Sequence, residues 1–332
     1  MTDSVLPVSE PVHVGQARSL ATAVARGQDL PDELVDRVAL TASELATNLV
    51  KYARGGLLAV STGPLGLDLI ATDSGPGLRD VEDSMRDGFS TAGSMGAGLG
   101  SVRRLADRFD VFTRRGEGTT VLARWVRGTP QWRGVRIGSV LFTAPGETVS
   151  GDGWTAVTAE GIVTIVLTDG LGHGPLAAEA SEAAIGHVAA DPRGSPAALL
   201  AAMDDDPAAA RGATVALAQF DLARGTLTFS GVGNITARLL GEGGARETLV
   251  SVPGIVGRRQ RRGRRANALV RPWSAESWLI MHTDGVSERW ASSDWPGLFE
   301  HDPATVAGWV LGQHIRLRDD ACVLAIAGGE GP

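Results

Sequence analysis

Cysteine is almost absent from this sequence: Cys322 is the single one among 332 residues. No disulfide can close within the chain, which fits a reducing compartment. Long apolar runs are missing too. No stretch reaches the ~18 consecutive apolar residues that a membrane span needs, and the opening MTDSVLPVSE has neither the basic start nor the apolar centre of a secretory signal. The expectation is a cytoplasmic protein with no membrane association. Lysine is nearly lacking, Lys51 standing alone, so the positive charge is carried by arginine, and a net charge of -7 argues against general nucleic-acid binding. What is present suffices for two ordinary domains: 43% hydrophobic and 21% charged residues is a soluble globular balance.

The most informative stretch is IVLTDGLGHGPLAAEA, Ile165 to Ala180. An apolar strand runs into an acidic turn at Asp169, three glycines leave the turn unobstructed, and Pro175 takes the first helical position, where its missing N–H costs nothing. An Asp-Gly after a strand is also the commonest hairpin turn. The second run WLIMHTDGVSE ends in the same Thr-Asp-Gly at Asp284, Gly151 and Gly153 flank Asp152, and Asp319-Asp320 opens the last strand. Carboxylates recurring at strand ends, with no Cys or His set beside them, point to Mg2+ or Mn2+ rather than zinc.

The first half reads differently. Val14–Arg26 and Asp32–Tyr52 carry apolar residues at helical spacing. Glu44 and Asn48, four apart, share one face of the second helix; a solvated polar stripe is the plain alternative. Leu57–Thr62 and Leu67–Thr72 read as a strand pair delivering Asp73 into the turn DSGPGL with Gly75 and Gly77. GSMGAGLGSVRRLADRF then sets Gly96, Gly98 and Gly100 before an amphipathic helix, where backbone N–H groups can approach phosphate. Thr119 precedes the closing strand TVLARWV.

This order of elements over residues 15 to 127 resembles the GHKL ATPase fold, and ELATNLVKYARGG with GAGLGSVRRLADRFDV is most similar to RsbT-like switch kinases of partner-switching systems. The resemblance implies ATP and Mg2+ as cofactors. Asn48 would hold Mg2+, Glu44 would position or deprotonate the attacking hydroxyl, and Asp73 would accept from the adenine amino group. Gly75, Gly77, Gly96, Gly98, Gly100 and Thr119 would line the base pocket and lid. The same family contains anti-sigma factors and nucleotide-gated modules, so a kinase and an ATP sensor both stay open. The order GDGW, TDGLGHGP, GVGN, TDGVSE, RDDACV over about 135 to 327 resembles the SpoIIE-type branch of metal-dependent Ser/Thr phosphatases, its short form being similar to RsbX-like ones. That implies two Mn2+ or Mg2+ ions. Asp169 would bridge them with the Gly170 carbonyl, Asp152 would hold one, and Asp284 and Asp319 the other, Asp320 being the less certain partner. A Cys stands at 322 where the family usually has Thr, no arginine is obviously placed for phosphate, and His173 reads as bracing its turn rather than acting in catalysis.

The expected architecture is α+β: a GHKL (Bergerat) α/β sandwich at 1–128, a linker at 129–134, and at 135–329 a phosphatase β-sandwich flanked by helices. The expected function is a bifunctional regulator acting on a phosphorylated STAS-domain protein in a sigma-factor pathway, with a non-catalytic scaffold as the rival. The arginine run Arg258 to Arg265 reads as a solvated loop or a docking patch for an acidic partner. Oligomeric state is not legible.

Overall fold

The structure, a computed structural model, describes residues 3–63, 66–85, 98–128, 132, 134–206, 211–241, 245–257 and 268–329. Gly96 and Arg258 to Arg265 lie outside them. The chain forms two compact units: Met1–Pro130 with Ala291–Gln313, and Gln131–Trp290 with His314–Pro332.

The first unit is a five-stranded antiparallel sheet in the order β1-β2-β3-β5-β4, from β1 (Asp3–Val8), β2 (Gly56–Gly63), β3 (Gly66–Asp73), β4 (Arg108–Arg114) and β5 (Gly118–Val126). Helices α1 (Pro11–Gly27) and α2 (Asp32–Asn48) share a core with it. Helix α1 buries Ala17, Ala21 and Ala25, small residues four apart that present a narrow stripe. Helix α2 starts with Asp32 and Glu33 against its positive end and buries Val35, Val38, Ala42 and Leu45 at helical spacing. The predicted helix to Tyr52 changes character after Asn48. Leu49–Ala53 is a π-helical turn closed by Arg54 at φ 62. A short turn, α3 (Val81–Ser84), precedes α4 (Leu99–Leu105). The glycine-loop helix therefore ends sooner than its pattern suggests, because Arg108 and Phe109 already pair with Arg124 and Ala123 in the sheet. The polar start was not expected to be a strand, yet β1 pairs along β2.

The second unit is a sandwich of two five-stranded antiparallel sheets. One has the order β13-β10-β9-β8-β7 and the other β12-β11-β14-β15-β6. The strands are β6 (Val135–Phe142), β7 (Asp152–Ala159), β8 (Ile162–Gly170), β9 (Ala213–Asp221), β10 (Thr226–Val232), β11 (Thr236–Leu240), β12 (Arg246–Thr248), β13 (Leu269–Pro272), β14 (Trp278–His282) and β15 (Ala321–Gly328). Alternation sorts the faces. Ile165 and Leu167 enter the core between the sheets with Phe220, Phe229, Met281 and Leu324, whereas Val166 faces outward to a second core. There it meets α5 (Pro175–Ala190) and α6 (Pro196–Asp205) through Ala184, Val188, Leu199 and Met203. After β10 the chain changes sheets: β10 pairs with β9 and β13, while β11 pairs with β14 and β12. Gly233, at φ 111, supplies a backbone conformation for the crossing that L side chains rarely adopt.

The segment Ala291–Gln313 belongs to the first unit although its sequence neighbours belong to the second. Its helix α7 (Pro303–His314) lies on the sheet, with Gly308 against Ile70 and Thr120 and Gly312 against Thr72. Trp309 is wholly buried there, with the ring of Phe112 meeting it edge-on at 4.7 Å. Trp154 and Trp278 are buried in the second unit and Trp309 in the first. Arg124, 3% exposed, grips Asp68 with Nε and Nη2 at 2.7 Å each and Asp302 with Nη1 at 2.9 Å. Asp110 accepts from the Asp302 amide and the Thr305 hydroxyl and pairs with His301.

Candidate functional sites

In the first unit, Asp73 ends β3 and faces Thr119 of β5 across the sheet. Its Oδ1 accepts from the Gly75 amide at 2.7 Å, an Asx turn that fixes the carboxylate at the strand tip. Burial pushes its pKa up to about 6, against the opposing hydrogen bonds from the Gly75 and Thr119 amides. Thr119 is buried and its hydroxyl lies 3.0 Å from that of Thr113. Gly77 takes φ 69 under the Arg114 carbonyl, a place for glycine alone. Glu44 and Asn48 lie half-buried on the last turns of α2. Burial raises the Glu44 pKa, and Lys51 opposes the rise. The π-helical turn after Asn48 connects the two groups, since Leu49 packs on Gly56, beside Asp73, and Ala53 packs on Gly75. Single π turns of this kind concentrate at functional sites. Gly98 caps α4, and Gly100 sits close under the Met85 carbonyl. Sequence reasoning missed Gln313, whose side-chain amide donates to the carbonyls of Asp73 at 3.2 Å and Glu117 at 3.0 Å. No local signal could have found a partner 240 positions away.

In the second unit the topology brings all four predicted aspartates to one end of the sandwich. Asp152, opening β7, is the cross-strand partner of Asp169 near the end of β8. Asp284 follows β14, Asp319 precedes β15, and those strands are antiparallel neighbours. Burial raises the Asp152 pKa well above the carboxylate range, with Asp169, Asp320 and Asp284 adding to the rise. Asp169 is pushed up to about 7 by burial and by Asp284, Asp319 and Asp320. Burial and Asp319 raise Asp284, while Arg316 and Asn234 oppose. Among the described residues no three Asp, Glu, His or Cys side chains already close on one point as a ready cation cage. The carboxylates are near enough to raise one another's pKa values, and such mutual repulsion is what a bound cation relieves. All are hard oxygen donors, the set that suits Mg2+ or Mn2+.

Supporting contacts explain the repeated motifs. The Thr283 hydroxyl receives the Cys322 amide at 2.9 Å and donates to Asp152 Oδ2 at 2.7 Å, tying the two sheets together at the acidic end. Asn234, of GVGN, donates to Asp284 Oδ2 at 2.8 Å. Asp320 differs from its neighbour. It is buried and spends its oxygens on the amides of Ala144 and Gly151, both at 2.7 Å, holding the loop that leads into Asp152. Asp319 is exposed. His173 pairs with Glu147 at 2.5 Å, linking two loops beside the cluster. Cys322 is fully buried among apolar side chains.

Comparison with known proteins agrees with this division. Residues 8–125 match the histidine kinase-like ATPase domain model, and residues 159–327 match the model for stage II sporulation protein E (SpoIIE). The serine/threonine-protein kinase RsbT of Bacillus subtilis (strain 168) is 42% identical over 118 residues, covering 33% of this chain and 87% of RsbT. A solved structure described for the bacterial stressosome aligns at TM-score 0.51 and 24% identity, over 58% of this chain and 98% of that one, which speaks for the fold. The structure of RsbX in complex with magnesium aligns at TM-score 0.49 and 18% identity, over 60% of this chain and 98% of RsbX. The SpoIIE match spans half of the sequence: the chain belongs to the SpoIIE family of serine/threonine phosphatases and carries in its first part a kinase-like ATPase domain related to RsbT.

Proposed function

We propose that this protein is a cytoplasmic partner-switching regulator that both removes phosphate from and adds it to a STAS-domain protein in a sigma-factor pathway. Residues 135–329 would form the phosphatase domain, less the 291–313 segment, and residues 1–128 the ATP-binding domain. The observation that carries the phosphatase reading is the placement of Asp152, Asp169, Asp284 and Asp319 at one end of the sandwich, Asp152 and Asp169 being cross-strand partners and Asp284 and Asp319 flanking the neighbouring strands β14 and β15. Asp169 and the Gly170 carbonyl would lie between two Mn2+ or Mg2+ ions, with Asp152 on one and Asp284 and Asp319 on the other. Such ions supply a water acidified enough to attack phosphorus and charge to stabilise the leaving oxygen. Thr283 keeps Asp152 Oδ2 occupied and so orients the carboxylate, Asn234 does the same for Asp284, and Asp320 fixes the approach loop.

In the first unit Asp73 would receive the adenine amino group, with Gly75, Gly77 and Thr119 around the base. Gly96, Gly98 and Gly100 would close over the phosphates, and Asn48 would hold the Mg2+ of ATP. Glu44 would accept the proton of the substrate hydroxyl, and its raised pKa suits a general base. An ATP sensor built on the same residues would bind nucleotide without transferring it. Labelled phosphate moving from ATP to a STAS protein, and lost in Glu44→Ala, supports the kinase; nucleotide binding without transfer supports the sensor. Mn2+-dependent release of phosphate from the phosphorylated STAS protein, abolished in Asp169→Asn, tests the phosphatase. Release that persists in the variant contradicts the assignment.

A further inference from the structure

A phosphoserine or phosphothreonine brings about two negative charges to a place lined by Asp152, Asp169, Asp284, Asp319 and Asp320. The two divalent cations proposed above would offset part of that charge, and the sequence motifs assign no arginine to hold the phosphate itself. The structure supplies one. Arg211 stands two residues before β9, and the backbone around it is stitched to the Asp169 turn: Asp169 faces Thr214, Gly170 faces Ala213, and the Leu171 amide donates to the Gly212 carbonyl at 3.0 Å. The Arg211 Nε donates to the Leu171 carbonyl at 3.2 Å. Its Nη2 lies along Gly172, 3.4 Å from where a Cβ would stand. The guanidinium is thus laid over the turn that begins at Asp169.

Arg211 is exposed, and among the described residues it makes that one hydrogen bond and no ion pair. Three other arginines of the unit are held in ion pairs, and Arg316 is a second arginine at the acidic end. Arg193 pairs with Glu160, Arg224 with Asp221 and Arg271 with Glu247, while Arg316 acts on Asp284. With Nε anchored, the two Nη groups of Arg211 remain as a fork, the geometry that receives two phosphate oxygens. Gly172 contributes by what it lacks. At φ 91 it is a glycine position, and no side chain stands between the fork and the turn.

We propose that Arg211 is the phosphate-holding residue of the phosphatase site, receiving phosphate oxygens of the phosphoprotein on Nη1 and Nη2 while Nε keeps the arm on Leu171. This rests on the phosphatase reading above. The test uses the full chain with Mn2+, p-nitrophenyl phosphate and a phosphorylated STAS protein as substrates, inorganic phosphate as inhibitor, and a separate titration of Mn2+ binding. In Arg211→Ala, KM and the inhibition constant of phosphate should rise roughly tenfold or more, as expected for losing hydrogen bonds to a charged group. Mn2+ affinity should stay at the wild-type value, and Arg211→Lys should recover part of the loss. If phosphate inhibition and KM are unchanged, or if Mn2+ affinity falls with them, Arg211 merely braces the Asp169 turn and the proposal is overturned. A wild-type protein that hydrolyses neither substrate overturns the phosphatase reading itself, and that result is distinct from an active wild type with an indifferent Arg211→Ala.

Discussion

The two units each set a carboxylate at a strand end with a raised pKa, but for different reasons. Asp73 rises to about 6 through burial alone, no neighbouring charge contributing. Asp169 rises to about 7 through burial with three other aspartates pressing on it. An isolated, desolvated carboxylate tied to backbone amides is an acceptor suited to a neutral donor such as an adenine amino group. A crowd of carboxylates is unfavourable until a cation joins it. The difference is the one expected between the proposed nucleotide site and the proposed metal site.

The units also differ in how they are closed. The phosphatase sandwich fills its own core between two sheets, whereas the ATPase-like unit takes α7 from far along the chain, fastened by Arg124 between Asp68 and Asp302. The largest stability effect should follow from breaking that fastening. Arg124→Ala leaves two carboxylates facing each other in a buried place and should destabilise the first unit by about 3–5 kcal/mol, read in denaturant unfolding of that unit. A loss under about 1 kcal/mol, the value of an exposed pair, would show that the contact is incidental. Next in size, Thr283→Val removes the hydroxyl that holds Asp152. Mn2+ affinity should fall roughly 10–100-fold, as for other residues that orient metal ligands, with Thr283→Ser close to wild type and ATP binding untouched. Equal affinity in Thr283→Val would mean that Asp152 needs no such support.

The smallest expected effect separates the two carboxylate environments by pH. Because the folded pKa of Asp73 is raised, the group contributes stability below its ordinary carboxylate pKa and loses it as pH rises through about 6. ATP needs the ionised form as acceptor, so the sign for binding is opposite: affinity should be full at pH 7 and weaker by about tenfold at pH 5. Asp73→Asn, in which the phosphates of ATP still titrate, should lack that part of the slope. A pH profile identical in both proteins would remove Asp73 from the base pocket.

Much of this was legible in the sequence, for physical reasons that also mark the limit. Glycine-flanked aspartates after apolar runs announced Asp152, Asp169 and Asp284, because strand ends need turn chemistry and the turns are local. Helices α1 and α2 announced themselves by spacing. Periodicity says that a face is buried, not against what. Trp309 lies in a stretch the sequence places in the second half, yet it meets Phe112 of the first, and Gly308 and Gly312 pack on Ile70 and Thr72. The crossing at Gly233 was hidden likewise, since one continuous apolar pattern serves either sheet. The resemblance set Asp319 before Asp320 as a ligand without a physical reason for the difference. Only the fold shows that Asp320 is spent on the amides of Ala144 and Gly151. Thr283, Gln313 and Arg211 act through partners many positions away, and no spacing rule reaches them.

The account stands on two opposed, separable activities in one chain. The direct measurement is the phosphorylation level of a STAS protein followed over time with ATP and Mn2+ present, comparing wild type, Asp169→Asn and Glu44→Ala. Asp169→Asn should drive the level up, Glu44→Ala should drive it down, and wild type should settle between them. If both variants follow the wild-type curve, the two sites do not do this chemistry and the account is wrong.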